Sequence, residues 1–142
     1  MAKQSTDLSL LFRALADRTR LRLLNLIGDG ELCVCFCVEI LGTHQPKISR
    51  HLAYLRRAGI VSARREGKWM HYRLAEPPDP AARRILDEVR EWLSADPYMQ
   101  KERKQLEKIC CGLRTPKRLK SAPLPVTSLL QPFTETTTAP GD

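Results

Sequence analysis

The chain has 142 residues, five cysteines and a formal net charge of +8, from 24 Lys and Arg against 16 Asp and Glu. This length suits one domain with a tail, and a hydrophobic content of 42% is enough for a core. No apolar run approaches the roughly 20 residues of a membrane span, and no secretory signal opens the sequence. We therefore expect a cytoplasmic protein with reduced thiols and no membrane partner. No phosphate-binding loop or nucleophile triad is recognisable, which argues against an enzyme and against an organic cofactor.

Four helices are predicted in the first part of the chain from helical spacing of apolar residues and from capping signals. Only three residues separate the end of the third helix at Leu41 from the start of the fourth at Gln45. Two short helices joined so tightly are typical of a helix-turn-helix. The boundaries are set by Thr6 or Asp7 before the first helix, Asp17 and Gly28 around the second, Gly42 after the third, and Thr43 or His44, Pro46 and Gly59 around the fourth.

Residues 60–64 and 69–74 are rich in strand-forming side chains and are separated by a predicted turn at Glu66-Gly67. They predict a two-stranded hairpin that could serve as a wing. Two Asp-Pro pairs, at residues 79–80 and 96–97, then predict the starts of two further helices. The expected fold class is mainly α (α+β), a winged helix-turn-helix with a β-hairpin wing.

We predict a DNA-binding and dimerisation domain over residues 1–95, a C-terminal helix over 96–112, and a disordered Pro/Ser/Thr-rich tail over 113–142. The helix over 80–95 carries a stripe of apolar side chains that belongs either to an ordinary core or to a contact with a second copy.

The positive charge is concentrated in residues 43–73, which hold eight Lys or Arg and one Glu, so the other 111 residues carry only +1. On the fourth predicted helix, Ile48, Leu52 and Leu55 would face the core. This leaves a polar front that fits double-stranded DNA, with base edges read in the major groove and phosphates held around it. A basic face exposed only to solvent is the alternative. The candidate DNA-binding residues are Gln45, Lys47, Ser49, Arg50, His51 and Tyr54 on the helix and Arg64, Arg65, Lys68 and His71 on the hairpin.

Three thiols, of Cys33, Cys35 and Cys37, are spaced two residues apart just before the helix-turn-helix. In an extended backbone all three would point the same way, whereas in a regular helix Cys35 would lie about 200° from Cys33. A soft ion preferring three thiolates could then gather them only by unwinding the start of the helix. Buried packing is the alternative for these side chains.

Residues 31–35 (ELCVC), 45–52 (QPKISRHL) and 67–74 (GKWMHYRL) closely resemble the ArsR/SmtB metalloregulators, and among them the arsenical-resistance repressors. The resemblance runs from about residue 8 to residue 93. It implies a winged helix that dimerises through its first and last helices, binds a palindromic operator and leaves DNA when a metal or metalloid binds. It further implies that Cys33 and Cys35 are ligands of trivalent arsenic, with As(III) or Sb(III) as inducer, and that the helix from Gln45 is the recognition helix.

The sequence departs from that family pattern in two places. Phe36 replaces the usual acidic residue, and Cys37 follows it directly, so we take Cys37 as the third ligand and expect a helix start that unwinds more easily. Cys110 and Cys111 form a second thiol pair that could bind a soft ion. We favour the first cluster as the site that controls DNA binding, because it directly precedes the helix-turn-helix.

Three other interpretations are weighed, one of a second metal site and two of the function. The acidic side chains of the helix over 80–95 have no histidine beside them, so we interpret them as a solvated face and not as a zinc site. A DNA-binding protein without sensing would use its cysteines only for packing. An arsenic-handling enzyme or thiol carrier would need no operator.

Overall fold

The structure is a computed structural model that describes residues 7–110, 119 and 121–124. Most of the predicted tail over 113–142, and Cys111, lie outside these residues. Within them, no helix is long and apolar enough to cross a membrane. The elements in chain order are α1 (Leu8–Leu15), α2 (Arg18–Ile27), β1 (Glu31–Cys33), α3 (Val34–Leu41), α4 (Gln45–Arg57), β2 (Val61–Glu66), β3 (Trp69–Leu74), α5 (Pro80–Ala95) and α6 (Pro97–Cys110).

Aspartate caps begin the helices where the sequence predicts them. The carboxylate of Asp7 accepts a hydrogen bond from the Leu10 N–H at 3.1 Å, and that of Asp17 accepts one from the Arg20 N–H at 3.0 Å. Asp79 caps α5 in the same way, through the Ala81 N–H at 2.8 Å. These bonds satisfy N–H groups that have no partner inside the helix, so the predicted helix starts are confirmed.

The sheet has three antiparallel strands in the order β1-β3-β2, so the prediction of a two-stranded hairpin was incomplete. Cys33 of β1 stands opposite His71 of β3, and His71 stands opposite Arg64 of β2. The turn lies at Gly67 and Lys68, one residue later than predicted. Gly67 has a φ of 58°, which a two-residue hairpin turn requires at its first central position and which glycine adopts without strain.

The core includes the inner face of α4, where Ile48, Leu52 and Leu55 are fully buried as predicted. Helix α6 packs against α2, α3 and α5 and buries Leu106 in the same core. The first helix of the helix-turn-helix, α3, therefore packs against the last helix that the structure describes.

The apolar stripe of α5 belongs mainly to the core of one chain. Ala82, Leu86 and Leu93 are buried within it, while Trp92 remains 80% exposed. An ordinary core therefore accounts for most of the stripe. Contact with a second copy remains an interpretation for the exposed Trp92.

Candidate functional site

Cys33 and Cys35 form a preassembled thiol pair at the junction between sheet and helix. Cys33 is the last residue of β1 and also the N-cap of α3, with extended backbone angles (φ −70°, ψ 142°). Because its backbone is extended and not helical, its Sγ meets the Sγ of Cys35 at 2.8 Å. These two sulfurs therefore meet without any unwinding of the helix start, and the predicted unwinding concerns only the gathering of all three thiolates around one ion.

The contact makes the two thiols chemically unequal. Donation by the Cys35 S–H lowers the pKa of Cys33 to about 7, against the opposing effect of burial. The same contact, with burial, raises the pKa of Cys35. Cys33 is thus the thiolate of the pair near neutral pH, and thiolate is the form that attacks and binds soft ions.

Cys37 lies one turn along α3 and is fully buried. Burial raises its pKa to about 12, and the nearby Cys33 acts in the same direction. In the part of the chain that the structure describes, no three His, Cys, Asp or Glu side chains stand close enough together to hold a metal ion. The sulfurs of Cys33 and Cys35 are in contact, and a third thiol would have to move toward them to complete a three-sulfur site.

Of the second thiol cluster, the structure describes Cys110 and not Cys111. Cys110 is buried at the end of α6, the helix that packs against α3. The helix that carries Cys35 and Cys37 therefore contacts the helix that ends at Cys110.

The front of α4 is exposed over its first two turns. Gln45, Lys47 and Arg50 face solvent, and Ser49 is half-buried beside them. This matches the predicted polar front. The two remaining candidates on this helix, His51 and Tyr54, are half-buried and are engaged by Arg20 of α2.

The hairpin residues divide into two groups. Arg65 and Lys68 are exposed, as a DNA contact requires. Arg64 is also exposed, but its guanidinium forms ion pairs with Glu31 at 2.5 Å and with Glu66 at 3.3 Å. Its positive charge is therefore already paired with carboxylates. His71 is buried in the central strand, with its Nε2 3.1 Å from a carboxylate oxygen of Glu66. We correct the prediction for His71, because a buried side chain facing carboxylates is not placed to contact DNA.

Two residues of this site were missed in the sequence analysis. Glu31 joins β1 to the hairpin through Arg64, and the hydrogen bond from Arg64 lowers the pKa of the Glu31 carboxyl. The position of Glu31, two residues before Cys33, was the available signal. Arg20 carried no such signal, since its contacts lie in α1 and α4, elsewhere in the chain.

A helix-turn-helix with an exposed polar second helix, followed by a β-hairpin, defines a winged-helix DNA-binding protein. The family described as "Bacterial regulatory protein, arsR family" matches residues 17–63. Over 92 residues, the chain is 50% identical to the arsenic resistance transcriptional regulator ArsR1 of Pseudomonas putida, covering 61% of this chain and 72% of that protein. This protein belongs to the arsR family of bacterial transcriptional regulators, and the resemblance drawn from the three sequence blocks is confirmed.

Two further comparisons agree with this assignment. The arsenical resistance operon repressor of Escherichia coli is 54% identical over 81 residues, 56% of this chain and 68% of that protein. A homodimeric winged helix-turn-helix DNA-binding domain from Mycobacterium bovis superposes with a TM-score of 0.51 at 30% identity, covering 66% of this chain and 91% of that one. The predicted winged-helix fold is thereby confirmed.

Proposed function

We propose that this protein is a metalloid-responsive transcriptional repressor. It binds a palindromic operator as a homodimer and is released when cysteine thiolates coordinate As(III) or Sb(III). The names of the relatives from P. putida and E. coli support an arsenical as the inducer.

The observation that carries the proposal is the position of Cys33. It ends β1, is the N-cap of α3, pairs with His71 of the hairpin and touches the sulfur of Cys35. A soft ion drawing these sulfurs into its own geometry would therefore pull on the hairpin and on the first helix of the helix-turn-helix together. The hairpin and the helix-turn-helix, which together form the proposed DNA-binding surface, are thus both connected to the sulfurs of Cys33 and Cys35.

Thiolates are the donors that a soft trivalent ion prefers, and Cys33 and Cys35 would hold it. Cys37 is the proposed third ligand, because it is the remaining thiol on α3. Its burial means that it reaches the pair only if the start of α3 rearranges, and this rearrangement would couple coordination to DNA release. To change operator occupancy from 99:1 to 1:99, the inducer must prefer the released conformation by about 5.5 kcal/mol.

The DNA contacts are proposed from the exposed polar residues. Gln45, Ser49 and Arg50 of α4 would face base edges, and Lys47 would hold a phosphate. Arg65 and Lys68 would extend the contact to the backbone or to an adjacent groove. If the dimer makes six to ten phosphate contacts, its affinity for DNA should fall by a factor of about 10³ to 10⁵ when the salt concentration rises from about 50 to about 200 mM.

The exposed apolar side chains support the dimer. Leu8 and Phe12 on α1 are 46% and 55% exposed, and Trp92 on α5 is 80% exposed. Large apolar side chains left in solvent on two helices are typical of a surface that is covered by a partner. A two-fold dimer would place its recognition helices about one turn of DNA apart, which requires a palindromic operator.

The central test is an As(III) titration of the complex between the protein and the DNA upstream of its own gene, followed by mobility shift. The double variants Cys33→Ser/Cys35→Ser and Cys110→Ser/Cys111→Ser are compared with the unmodified chain. We expect the first to stay bound to DNA at every As(III) concentration and the second to be released normally. Release lost only in the second variant would assign control to Cys110 and Cys111.

The same titration separates the rival functions. Unmodified protein that binds the operator but ignores As(III), Sb(III) and other soft ions is a DNA-binding protein without sensing. Protein that binds As(III) without any specific footprint is a thiol carrier.

Cys37→Ser tests the third ligand separately. We expect fewer thiols consumed per As(III) bound and a weaker release response. Full response with full thiol stoichiometry would remove Cys37 from the site.

A further inference from the structure

We propose that Arg20 is the positioning residue of the recognition helix α4, and that Tyr54 and His51 are its partners and not readers of DNA. This inference rests on the proposed function, because it assumes that α4 binds DNA. It assigns a role to a residue of α2 that has no place in the predicted DNA contacts.

Arg20 is anchored at the end of α1 by two hydrogen bonds. Its Nε donates to the carbonyl oxygen of Ala14 at 2.8 Å, and its Nη2 donates to the carbonyl oxygen of Arg13 at 2.9 Å. The carbonyls in the last turn of a helix have no partner inside that helix, so a guanidinium placed there satisfies them. The fork geometry of the group fixes its plane once two of its donors are engaged.

The same guanidinium contacts α4 on its other side. Its Nη1 lies 3.3 Å from His51 Nδ1, and its Cζ lies 4.3 Å from the centroid of the Tyr54 ring. A guanidinium only donates, so Nδ1 of His51 accepts and Nε2 carries the proton. Burial lowers the pKa of His51, which agrees with a neutral ring in this role. The guanidinium of Arg57 also lies over the Tyr54 ring, at 4.9 Å.

These contacts connect three helices through one side chain. The end of α1 fixes the guanidinium plane, and that plane fixes the Tyr54 ring and the His51 imidazole on α4. Because His51 and Tyr54 lie three residues apart on one side of a helix, holding both sets the rotation of α4 about its axis. That rotation decides whether Gln45, Lys47 and Arg50 face the groove.

Three of the five N–H hydrogens of the Arg20 guanidinium, one on each nitrogen, are engaged within the chain, so we assign positioning and not a phosphate contact to this side chain. The salt dependence of operator affinity distinguishes a positioning residue from a residue that contacts a phosphate directly. A residue that neutralises a phosphate contributes about 0.9 to the slope of log affinity against log salt, whereas a positioning residue changes the affinity without changing the slope.

The test measures operator affinity of the full chain over a series of salt concentrations, by anisotropy with labelled upstream DNA. Arg20→Gln and Tyr54→Leu remove the two sides of the guanidinium–ring contact. Tyr54→Phe keeps the ring and removes the hydroxyl, and Arg50→Gln is the matched variant for a proposed DNA contact. Thermal unfolding is followed for each protein. Tyr54→Leu leaves both bonds from Arg20 to α1 in place and carries the test if Arg20→Gln unfolds.

We expect Arg20→Gln and Tyr54→Leu each to weaken binding about tenfold at every salt concentration with an unchanged slope, from the loss of a cation–π contact of about 1–2 kcal/mol. Tyr54→Phe should bind like the unmodified chain, and Arg50→Gln should show a smaller slope. A smaller slope for Arg20→Gln, or a Tyr54→Phe as weak as Tyr54→Leu, would overturn the inference, since the first indicates a phosphate contact and the second a hydroxyl that reads a base. Failure of the proposed function is distinct, because the unmodified chain would then show no operator binding at all.

Discussion

Cys33 has more structural roles than any other residue of the proposed metalloid site. It is the last residue of β1 and the N-cap of α3, and its thiol has the lower pKa of the Cys33–Cys35 pair. A serine or aspartate N-cap would satisfy the first N–H groups of α3 with an oxygen, but here that position carries a sulfur, which is a weaker acceptor. The start of α3 is therefore less firmly held than the starts of α1, α2 and α5.

The pKa of Cys33 gives a direct prediction. A thiolate absorbance step with a midpoint near pH 7 is expected in the reduced, metal-free protein and should be absent from Cys33→Ser. In Cys35→Ala the step should move to higher pH, because the S–H donor that stabilises the thiolate is gone. Cys37→Ala is the control and should leave the step in place, since burial already raises the pKa of Cys37 to about 12. Equal midpoints in the unmodified chain and in Cys35→Ala would contradict the assigned cause.

The sign of the effect on stability follows from the same shift. The pKa of Cys33 is lower in the folded protein, at about 7, than its ordinary value of 9.0. Ionisation of Cys33 therefore stabilises the fold fully above about pH 9, and this contribution is lost as the pH falls through about 7. In mildly acidic buffer, Cys33 of the reduced protein should therefore contribute less to the free energy of unfolding than it does above about pH 9.

At the scale of elements, α6 is fixed to α2 by a buried ion pair. Arg22 donates to both carboxylate oxygens of Glu102, at 2.8 and 2.7 Å, and Glu102 is almost fully buried. The side chain of Asn25 adds a hydrogen bond to the carbonyl oxygen of Met99 at 2.8 Å. The long C-terminal helix is thus attached to the helix behind the helix-turn-helix by specific polar contacts as well as by Leu106.

Removing one member of this pair should be costly. Glu102→Ala leaves the Arg22 guanidinium partly buried without its carboxylate, and we expect a loss of about 3 kcal/mol in the free energy of unfolding. Urea denaturation of the full chain measures it. Glu107→Ala, an exposed glutamate on the same helix, should change stability by less than about 0.5 kcal/mol. Similar losses in both variants would mean that the helix, and not the ion pair, is being destabilised.

Strand β1 links the thiol pair to the hairpin, and Glu31 is its polar connection. Glu31→Gln should leave operator affinity and As(III) binding nearly unchanged, but raise the As(III) concentration needed for release by about twofold to fivefold, the worth of one exposed ion pair. Glu66→Gln is the matched control, because it removes a carboxylate from the same Arg64 without cutting the link to β1. An equal shift in the control would attribute the effect to charge alone.

The helices were predictable from the sequence because their signals are local. Asp17 with Gly28, or Asp79 with Pro80, defines a boundary within a few residues. Strand β1 was not predictable, since it has only three residues and its partner is β3, far along the chain. The burial of His71 follows from that pairing, because a residue on the outer strand of a two-stranded hairpin becomes central once a third strand is added.

The thiol site was partly predictable for the same reason. The residue types of Cys33, Cys35 and Cys37 indicated a soft ion, but the sequence left open whether their backbone is extended or helical. Cys33 is extended, a local detail that depends on its pairing in β1. The role of Arg20 depends entirely on contacts between elements and was invisible in the sequence.

At the scale of the whole molecule, the exposed apolar groups predict self-association. Trp92→Glu should convert a dimer into a monomer in sedimentation experiments at micromolar concentration. The exposed indole would be lost from both copies, and if it is worth about 2 kcal/mol, its loss weakens dimerisation about thirtyfold. Leu124→Glu changes another exposed apolar side chain and should leave the dimer intact. A monomeric unmodified chain would contradict the prediction.

The two tryptophans of the chain stand on its two proposed interfaces. Trp69 lies in the hairpin with the Lys68 ammonium 5.0 Å from its ring centroid, and Trp92 stands exposed on α5. The protein therefore carries two tryptophan fluorophores, one in the wing that we propose faces DNA and one on the surface that we propose for self-association. With Trp92→Phe the remaining emission reports the wing, and with Trp69→Phe it reports assembly, so both events can be followed separately in unlabelled protein.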